Sequence, residues 1–502
     1  MPDSETVYIV ATSDIHGFLA KDPARGRAGL AHLVGYLSRL RKKSPGRVFL
    51  VDSGDLFSGH ELSNLENGRT AAGLLGRLGF RALTPGNHDF DFNVEEKDHL
   101  HYFRNLIPIM QAQSAERLTV TALNLDYLGR PFPGVENGPV LLGETPAGGR
   151  LTVVGVTSPY TLRPSLQSGL TGYGFGLKSS PSETTRHILA KLEEALRPFD
   201  GQGDEVVVLS HLGRPDAPDR ISGLDLALTP NVSLVVDGHS HKICAPFRPS
   251  QKGGIYVNPG HCLEKVVLVA ISRSAFNVEL LGYAELTEAP EDERTASEIA
   301  ALTAGLGLDE ILTVVPKELF ERDGAAPEKD RPLGRLICRA LNFGGQADFV
   351  FLNPGAVRSG LSGEVTKAKA LETLPFRDRL FSFPVQGDEI MAYFRLLVQK
   401  GLPTLPFLHG LTAEVVQSAT PNFRLENLKT AAGEPIRLDQ TYRAAATGQM
   451  LRIMNVYGPR PDLPDLQDCG VVAEIFMRGL KAMSPETMEE IFRREDLVIR
   501  RA

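Results

Sequence analysis

The feature that most constrains this chain is the alternation of short β-type runs with helical stretches. The runs are rich in Val, Ile, Leu or Thr, and they occupy residues 7–12, 47–51, 80–84, 118–124, 151–157, 205–210 and 233–236. Residues 28–43, between the first two runs, place apolar side chains at helical spacing. Strands that alternate with helices favour a layered α/β fold, and such folds carry their chemistry at the strand ends.

The length of the chain predicts more than one domain. A chain of 502 residues corresponds to roughly two to four ordinary domains. Around residues 288–306 the pattern changes, because an acidic stretch that contains proline leads into an exposed helix at 295–304. We therefore predict a first domain over residues 1–287, a linker helix over 288–309 and a smaller α/β domain over 310–502.

Composition excludes several classes of protein. Hydrophobic residues make up 42% of the chain and charged residues 23%, as in ordinary globular proteins. The longest apolar runs, such as 206–209 and 266–270, are far shorter than a membrane span, so we expect no association with a membrane. The net charge is −7 and there is no basic block, so a nucleic acid polymer is not an expected partner.

The first residues and the cysteines of the chain indicate the cellular compartment in which the protein is expected. The chain begins with acidic residues that run directly into the first β-type run, without the basic and apolar regions of a secretory leader. We therefore expect a cytoplasmic protein, or else one from which a leader has been removed. The four cysteines form no CxxC pair, and we expect them to be reduced.

Five short blocks that follow apolar runs offer Asp, Asn or His, which are common ligands of divalent metals. The blocks are residues 14–17 (DIHG), 53–55 (SGD), 86–91 (GNHDFD), 210–213 (SHLG) and 238–241 (GHSH). In D-x-H and H-x-H the two ligands leave the same face of an extended backbone, so both reach one metal region. The candidate ligands are Asp14, His16, Asp55, Asn87, His211, His239 and His241.

The count of candidate ligands predicts a pair of metal sites. A carboxylate such as Asp55 can bridge two cations, so seven ligands with one shared make two four-ligand sites that keep room for solvent. Glycines beside the ligands, at Gly54, Gly86 and Gly238, allow tight turns and close backbone approach. Isolated histidines such as His32 are interpreted as surface or packed residues.

In this order, the five blocks resemble the signature of the calcineurin-like metallophosphoesterases, which reads DxH, GD, GNH[DE], H and GHxH. The variant GNHDFD at residues 86–91 is similar to that of the 5′-nucleotidase and UDP-sugar hydrolase branch. Three C-terminal segments resemble the same branch. They are 333–337 (LGRLI), similar to the helix start LGNLI, 353–358 (NPGAVR), similar to NGGGIR, and 374–376 (LPF).

The resemblance implies a fold and a ligand set. The fold is α/β, with an N-terminal four-layer αββα metallophosphoesterase sandwich and a smaller C-terminal α/β domain of the 5′-nucleotidase type, and substrate binds in the cleft between them. The cofactor is a pair of divalent ions, Mn²⁺, Zn²⁺, Fe²⁺ or Co²⁺. The implied ligands of the first ion are Asp14, His16, Asp55 and His241. The implied ligands of the second ion are Asp55, Asn87, His211 and His239.

The resemblance also implies residue roles and a reaction. His88 and Asp91 form the catalytic pair beside the phosphate, Asn353 and Arg358 contact substrate, and Phe376 stacks on a nucleotide base. The implied reaction is hydrolysis of a nucleoside 5′-monophosphate, or of a nucleotide-like modified nucleoside or sugar phosphate, to the alcohol and inorganic phosphate. Metal-bound hydroxide attacks in line with the leaving oxygen. The expected partner is therefore a small-molecule phosphate ester.

Other activities compete with this interpretation. A 2′,3′-cyclic nucleotide phosphodiesterase and a UDP-sugar hydrolase use the same centre. Thiosulfohydrolases share the two-domain scaffold but lack the histidine of GNHD, so His88 argues against them. A non-catalytic binding protein usually loses metal ligands, and here all seven are present.

The C-terminal region departs from the family pattern. Pro354 stands where the family has glycine, which removes one backbone N–H donor. Residues 442–451 replace a glycine-rich NFLxxGGDG loop, and Gln449 stands near the expected second aromatic residue. The predicted base clamp therefore has one aromatic side, Phe376, with Tyr457 or Phe407 as candidates for the other. Arg322 and Arg331 lie near, but not at, the position of a family arginine, and we assign neither to phosphate.

Overall fold

The computed structural model describes residues 5–95, 97–161, 170–199, 203–214, 220–316, 331–400, 405–417, 423–457 and 465–501. The chain divides into two units, Met1–Gly305 and Leu306–Ala502. This division falls inside the predicted linker, at the end of the helix Glu293–Gly305, which is part of the first unit. No helix in the described ranges is long and apolar enough to cross a membrane.

The first unit contains strands and helices in alternation. Its described strands are, in chain order, β1 (Val7–Thr12), β2 (Val48–Asp52), β3 (Phe80–Leu83), β4 (Thr119–Thr121), β5 (Asp126–Tyr127), β6 (Arg130–Pro131), β7 (Val135–Glu136), β8 (Val140–Glu144), β9 (Arg150–Val156), β10 (Tyr173–Gly174), β11 (Glu205–Ser210), β12 (Leu234–Asp237), β13 (Cys244–Phe247), β14 (Ile255–Asn258), β15 (Val266–Ile271) and β16 (Phe276–Leu281). Its described α-helices are α1 (Gly29–Lys43), α2 (Glu61–Asn64), α3 (Arg69–Gly76), α4 (Asp91–Glu95), α5 (Ile107–Ala112), α6 (Pro181–Leu196), α7 (Gly223–Ala227), α8 (Tyr283–Thr287) and α9 (Glu293–Gly305).

Two large sheets form the body of the first unit. One has the strand order β16-β15-β1-β2-β3-β4-β7, and the other has the order β13-β14-β12-β11-β9-β8. Strands β1, β2, β3, β4 and β7 run parallel to one another, as do β9, β11, β12 and β14 in the second sheet. Ile9 and Val51 of the first sheet share one buried cluster with Val207 and Val236 of the second, so the sheets pack face to face.

Helices cover the outer faces of this sandwich. Ile188 and Leu192 of α6 pack with Val206 and Val208 on the outer face of the second sheet. On the first sheet, Val10 points away from the sandwich core because side chains alternate along a strand, and it is fully buried. Helix α1 connects the adjacent parallel strands β1 and β2, as a crossover helix does. The predicted layered α/β sandwich is therefore confirmed.

This topology collects the five motif blocks at one edge of each sheet. Strands β1, β2 and β3 are parallel, so the loops that follow them lie at the same end of the first sheet. Strands β11 and β12 are parallel neighbours in the second sheet, and the loops with His211 and His239 follow them. The Ser53 hydroxyl, which follows β2, donates a hydrogen bond to the Val236 carbonyl of β12 at 2.8 Å. The two sets of loops therefore meet across the sandwich.

The second unit is a smaller α/β unit. Its described strands are β17 (Ile311–Val315), β18 (Phe349–Leu352), β19 (Gly363–Thr366), β20 (Arg379–Gln386), β21 (Phe407–His409), β22 (Leu411–Gln417), β23 (Phe423–Thr430), β24 (Thr441–Thr447), β25 (Gln467–Val471) and β26 (Leu497–Arg501). Its described α-helices are α10 (Arg331–Leu341), α11 (Lys367–Thr373), α12 (Gly387–Lys400), α13 (Gly448–Tyr457), α14 (Val472–Ala482) and α15 (Pro485–Arg493).

A five-stranded sheet of order β21-β18-β24-β20-β25 organises the second unit. Strands β18 and β24 are parallel, so the segments after them lie at the same edge of the sheet. Those segments are the NPGAVR motif and the start of α13. Phe407 is buried in the core against the backbone of Gly334, so it does not supply a second base-stacking side chain. The side chains of Tyr457 and Arg331, and all of Arg322, lie outside the described residues.

Candidate active site

The candidate ligands occupy a backbone conformation that L-residues rarely adopt. Five of the seven have positive φ angles: Asp14 (50°), His16 (50°), Asp55 (57°), His239 (67°) and His241 (54°). The prediction of extended backbone at the D-x-H and H-x-H blocks is therefore wrong. Left-handed residues turn the chain sharply just after each strand. Such outliers persist where the surrounding structure holds them, and they cluster at functional sites.

Backbone hydrogen bonds hold the first two ligand loops together. The Asp14 N–H donates to the Gly54 carbonyl at 2.8 Å, and the His16 N–H donates to the Asp55 carbonyl at 2.9 Å. These bonds extend the β1–β2 pairing beyond the last residues of the strands. They compensate for the strain of the left-handed residues and fix the two loops relative to each other.

The first donor group consists of Asp14, His16 and His241. One ligand atom from each of the three residues lies within 4.8 Å of the others. His241 Nε2 is 3.0 Å from His16 Nε2 and 3.3 Å from Asp14 Oδ1. The ring of His16 is oriented by its Nδ1–H, which donates to the Ser58 carbonyl at 2.6 Å. The Nε2 atoms of both histidines therefore converge on one point.

The second donor group consists of Asp55, His211 and His239, whose ligand atoms also lie within 4.8 Å of one another. The His211 Nδ1–H donates to the Ser53 carbonyl at 2.7 Å, which directs Nε2 toward the Asp55 carboxylate. His239 and His241 thus belong to different groups, although they are two residues apart.

Asp55 lies between the two groups. Its Oδ2 atom is 3.0 Å from His211 Nε2 in the second group and 3.8 Å from His16 Nε2 in the first. Its Oδ1 atom accepts a hydrogen bond from the His88 N–H at 2.7 Å. The carboxylate is therefore fixed in the position that a bridging ligand requires.

Unsatisfied polar atoms at this point fit divalent cations. The Asn87 Oδ1 atom is buried and accepts no hydrogen bond from the described residues. His211 Nε2 is also buried and makes no well-formed hydrogen bond, although it lies close to Asp55. Buried polar atoms are rarely left without partners, and oxygen and imidazole nitrogen are donors that such cations accept. The residues present therefore fit a pair of metal ions.

In the metal-free site, the histidines differ in their pKa values because their surroundings differ. Burial lowers the pKa of His16 to about 3, and it lowers the pKa of His239 to about 4, so both rings are neutral and available as donors. Burial opposes protonation of His211 as well, but the Asp55 carboxylate outweighs it and raises the pKa of His211 to about 10. Burial alone would raise the pKa of Asp14, but its neighbouring histidines lower it to about 2.

Three buried aspartates behind the ligands, Asp52, Asp89 and Asp237, were not predicted as site residues. Asp89 accepts hydrogen bonds from the Asp55 N–H at 3.0 Å and from the Gly86 N–H at 2.8 Å, so one carboxylate joins two ligand loops. Burial, followed by the nearby Asp55 carboxylate, raises the pKa of Asp89 to about 7. Asp89 stands inside the GNHD block, but its contacts are with backbone from a distant block, which sequence spacing does not show.

The other two aspartates support further loops in the same way. Asp52, the last residue of β2, accepts from the Gly54 N–H at 2.7 Å. Asp237, the last residue of β12, accepts from the Leu212 and Gly213 N–H groups at 3.2 and 3.1 Å. Burial raises the pKa of both carboxyl groups. In the sequence, the feature that could have identified both residues was an aspartate at the end of an apolar run.

His88 and Asp91 form a pair beside the donor groups. The His88 Nδ1–H donates to Asp91 Oδ2 at 2.8 Å, and the Ser58 hydroxyl donates to the same oxygen at 2.7 Å. The His88 ring centre is 5.5 Å from that of His16, so the pair adjoins the first donor group. A carboxylate that holds Nδ1 leaves Nε2 as the ring atom that can transfer a proton.

We expect Gly86→Ala to weaken metal binding. A Cβ atom at Gly86 would collide with the carboxylate and backbone nitrogen of Asp55. The collision displaces the shared ligand, and we expect an apparent affinity for Mn²⁺ about 10–100-fold lower, as for other losses of support to a ligand. The measurement is a Mn²⁺ titration of metal-free protein. Gly138→Ala is the matched control, because a Cβ there meets no atom within 4 Å. Equal affinities in the two variants would contradict the expectation.

The second unit brings its three predicted residues to one edge of its sheet. The Thr447 hydroxyl, at the end of β24, donates to Asn353 Oδ1 at 3.4 Å. The Arg358 guanidinium carbon lies 5.0 Å from the centre of the Phe376 ring, within cation–π distance. Asp378, which was not predicted, accepts hydrogen bonds from the Gly448 N–H at 3.1 Å, so it joins the LPF segment to the start of α13.

The segment 442–451 contains no loop. Its residues form most of β24 and the first turn of α13, with Gln449 in that turn. The Gln449 N–H donates to Asp378 at 3.1 Å. At the position where a second aromatic residue was expected, strand β24 therefore passes directly into α13.

Comparison with known families agrees with both halves of this description. Residues 7–243 match the family described as calcineurin-like phosphoesterase, and residues 312–451 match the one described as 5′-nucleotidase, C-terminal domain. The chain combines a calcineurin-like phosphoesterase domain with a 5′-nucleotidase C-terminal domain. It is therefore a metal-dependent hydrolase of phosphate esters, and this phosphoesterase has the two-domain α/β organisation of its family.

Individual relatives agree with the family. A 5′-nucleotidase of Vibrio cholerae is 22% identical over 95% of this chain and 90% of its own length. The crystal structure of a 5′-nucleotidase precursor from Thermus thermophilus has a TM-score of 0.69 and 20% identity, covering 98% of this chain and 99% of that one. Sulfate thiohydrolase SoxB of Thermus thermophilus has a TM-score of 0.67 and 16% identity, covering 99% of this chain and 97% of that one. At these identities the structural likeness concerns the fold alone.

Proposed function

We propose that this phosphoesterase hydrolyses a nucleoside 5′-monophosphate, or a nucleotide-like modified nucleoside or sugar phosphate, to the alcohol and inorganic phosphate. The observation that carries the proposal is the pair of donor groups on either side of Asp55, next to the His88–Asp91 pair. The name of the Vibrio cholerae relative supports the substrate class.

The proposed metal ligands follow from the donor groups. We assign Asp14, His16, Asp55 and His241 to one divalent ion, and Asp55, Asn87, His211 and His239 to the other. The nitrogen and oxygen donors suit Mn²⁺, Zn²⁺, Fe²⁺ or Co²⁺. When bound, such a pair of ions makes a water molecule nucleophilic near neutral pH and neutralises charge on the phosphoryl oxygens.

The residues of the chain supply orientation and proton transfer. His88 donates a proton from Nε2 to the oxygen that leaves phosphorus, while Asp91 keeps the ring in the required tautomer and orientation. The Ser58 hydroxyl fixes the Asp91 carboxylate in turn. The His88 main-chain N–H holds Asp55, so the same short loop positions both the acid and the shared ligand.

We further propose that the second unit contributes substrate contacts through Asn353, Arg358 and Phe376. The planar fork of Arg358 matches the oxygens of a phosphate group. Phe376 stacks on a base, and it does so without a second aromatic partner from the start of α13, where the chain has Gln449. Base stacking contributes about 1–3 kcal/mol per base, so a one-sided clamp favours a substrate that needs less stacking than an ordinary nucleotide does.

Inorganic phosphate release, measured with Mn²⁺ across a substrate panel, tests the function. The panel holds nucleoside 5′- and 3′-monophosphates, 2′,3′-cyclic nucleotides, UDP-sugars, sugar phosphates and an aryl phosphate. Strong release from 5′-monophosphates or from sugar phosphates supports the proposal and identifies the leaving group. Preference for cyclic diesters or UDP-sugars would replace the proposed monoester with the corresponding diester or diphosphate substrate. The absence of turnover of every compound would overturn it.

Phe376→Ala tests the assigned stacking contact. For a nucleoside monophosphate we expect KM to rise about 5–100-fold, the loss that corresponds to one stacked base. For an aryl or sugar phosphate without a base we expect little change. Phe343→Ala is the control, because Phe343 is an exposed aromatic residue of the same unit. Equal effects of Phe376→Ala on substrates with and without a base would contradict base stacking.

A further inference from the structure

One histidine that belongs to no motif, His261, lies against the first donor group. The ring of His261 is parallel to that of His241, with 4.9 Å between ring centres and 8° between ring planes. The His16 ring meets His241 at 65°, with the same distance between centres. His261 is a member of neither donor group. It is therefore in contact with a proposed ligand without being one.

His241 differs from His16 and His211 in how its ring is held. The rings of His16 and His211 each donate from Nδ1 to a backbone carbonyl, the usual means by which proteins orient a metal-binding histidine. No described residue accepts a hydrogen bond from Nδ1 of His241. Its side chain is 27% exposed, against 6% for His16 and none for His211. Stacking on His261 is thus the contact that fixes the plane of the His241 ring.

His261 is itself held in place by charged neighbours. Its Nδ1 atom lies 3.3 Å from Glu264 Oε2, and Glu264 Oε1 lies 3.4 Å from the Arg27 guanidinium, whose side chain is largely buried. The Glu264 N–H also donates to the His261 carbonyl at 3.0 Å, which closes a turn. The Glu264 carboxylate therefore restricts the His261 ring at its Nδ1 edge.

The backbone of this turn is tied to the first ligand loop. The Cys262 N–H donates to the Asp14 carbonyl at 2.8 Å. Cys262 and Leu263 have φ angles of 52° and 58°, which places two consecutive non-glycine residues in the left-handed region. Backbone in this region persists only where its surroundings determine it. The turn therefore presents His261 to His241 at a fixed distance.

We propose that His261 is a positioning residue for His241 and sets the affinity of the first metal site. Its ring replaces the missing hydrogen bond to Nδ1 and aims Nε2 of His241 at the point where the donors of the group converge. The effect is expected at the first site, because His261 stacks on a histidine of the first donor group and belongs to neither group. The proposal rests on the proposed metal ligands.

The experiment is a Mn²⁺ titration of metal-free protein, with free Mn²⁺ followed by electron paramagnetic resonance. We expect two classes of site in the unmodified protein. In His261→Ala we expect the dissociation constant of the site that is lost in His241→Ala to rise at least about tenfold, the usual effect of removing support from a ligand, with the other site unchanged. In His261→Phe, which keeps a stacked ring, we expect this dissociation constant to stay within about threefold of the unmodified protein.

Two further variants distinguish a failure of the proposed metal ligands from a failure of the proposed positioning role. His241→Ala removes the proposed ligand itself, so retention of both Mn²⁺ ions in this variant would overturn the proposed metal ligands rather than the positioning role. If His241→Ala loses one ion but His261→Ala binds both normally, the positioning role alone is overturned. If His261→Phe binds as weakly as His261→Ala, stacking is not the means of positioning. Glu264→Gln, which keeps both rings, serves if His261→Ala does not fold, and an unchanged affinity of the first site in this variant would also contradict the proposal.

Discussion

We expect His88→Ala to lower kcat by about 10²–10⁴, the usual contribution of one acid–base group. Both metal ions should remain, because His88 belongs to neither donor group and the variant keeps the main-chain N–H that holds Asp55. The loss falls on kcat because proton transfer to the leaving oxygen occurs in the transition state and not in substrate binding. The measurements are steady-state kinetics on the best substrate of the panel and metal content by mass spectrometry.

His187→Ala is the control for this variant, since His187 lies on α6, away from the donor groups. A kcat close to that of the unmodified protein in fully metal-loaded His88→Ala would exclude the proposed role. A leaving group with a low pKa, such as nitrophenolate, needs little protonation. The loss should therefore be smaller for an aryl phosphate than for a nucleotide or sugar phosphate, which links the effect to the leaving oxygen.

Asp55→Ala is expected to have the largest effect of the variants considered. Its carboxylate lies between the two groups, so its removal takes a donor from both ions at once. We expect the metal content to fall from two ions per chain to fewer than one. We expect kcat to fall at least about a thousandfold, since the ions contribute several kcal/mol and each 1.36 kcal/mol is about a factor of ten.

Thermal unfolding must accompany this measurement, because Asp55 is buried and also accepts a hydrogen bond from His88. Glu116→Ala is the control, as Glu116 is an exposed carboxylate of the same unit. Two bound ions in Asp55→Ala, with kcat within tenfold of the unmodified protein, would show that Asp55 does not bridge them.

The elements that carry the motifs were predictable because local apolar patterns set them. The runs at 7–12 and 205–210 have the same bounds as β1 and β11. The helix predicted at 28–43 differs from α1 only in its first residue, since α1 begins at Gly29. The run at 118–124 forms only the three residues of β4, because its outer neighbour β7 is two residues long and pairs with only part of it. Strand length therefore depended on a partner that the run itself does not reveal.

The candidate site was predictable in its residue types but not in its geometry. The order of the five blocks identified residues that the structure brings together at the strand ends. The backbone of His239 and His241 is left-handed, not extended, and their side chains lie in different groups. The contacts of Asp89 with the Asp55 backbone and of His261 with His241 join residues distant in sequence, which no local pattern shows. In the second unit, Phe407 was a candidate for base stacking because it is aromatic. In the structure its ring packs against Gly334 in the interior of the unit.

The distribution of ligands over two sheets has a consequence for synthesis of the protein on the ribosome. Asp14 and His16 leave the ribosome early, but their partner His241 follows more than two hundred residues later. Strand β1, which directly precedes both, gains its second neighbour only when β15, Val266–Ile271, has been made. Domains fold as units as the chain emerges, so we expect metal loading to be a late event. We therefore expect a chain truncated before β15 to hold its ions less firmly than the complete first unit does.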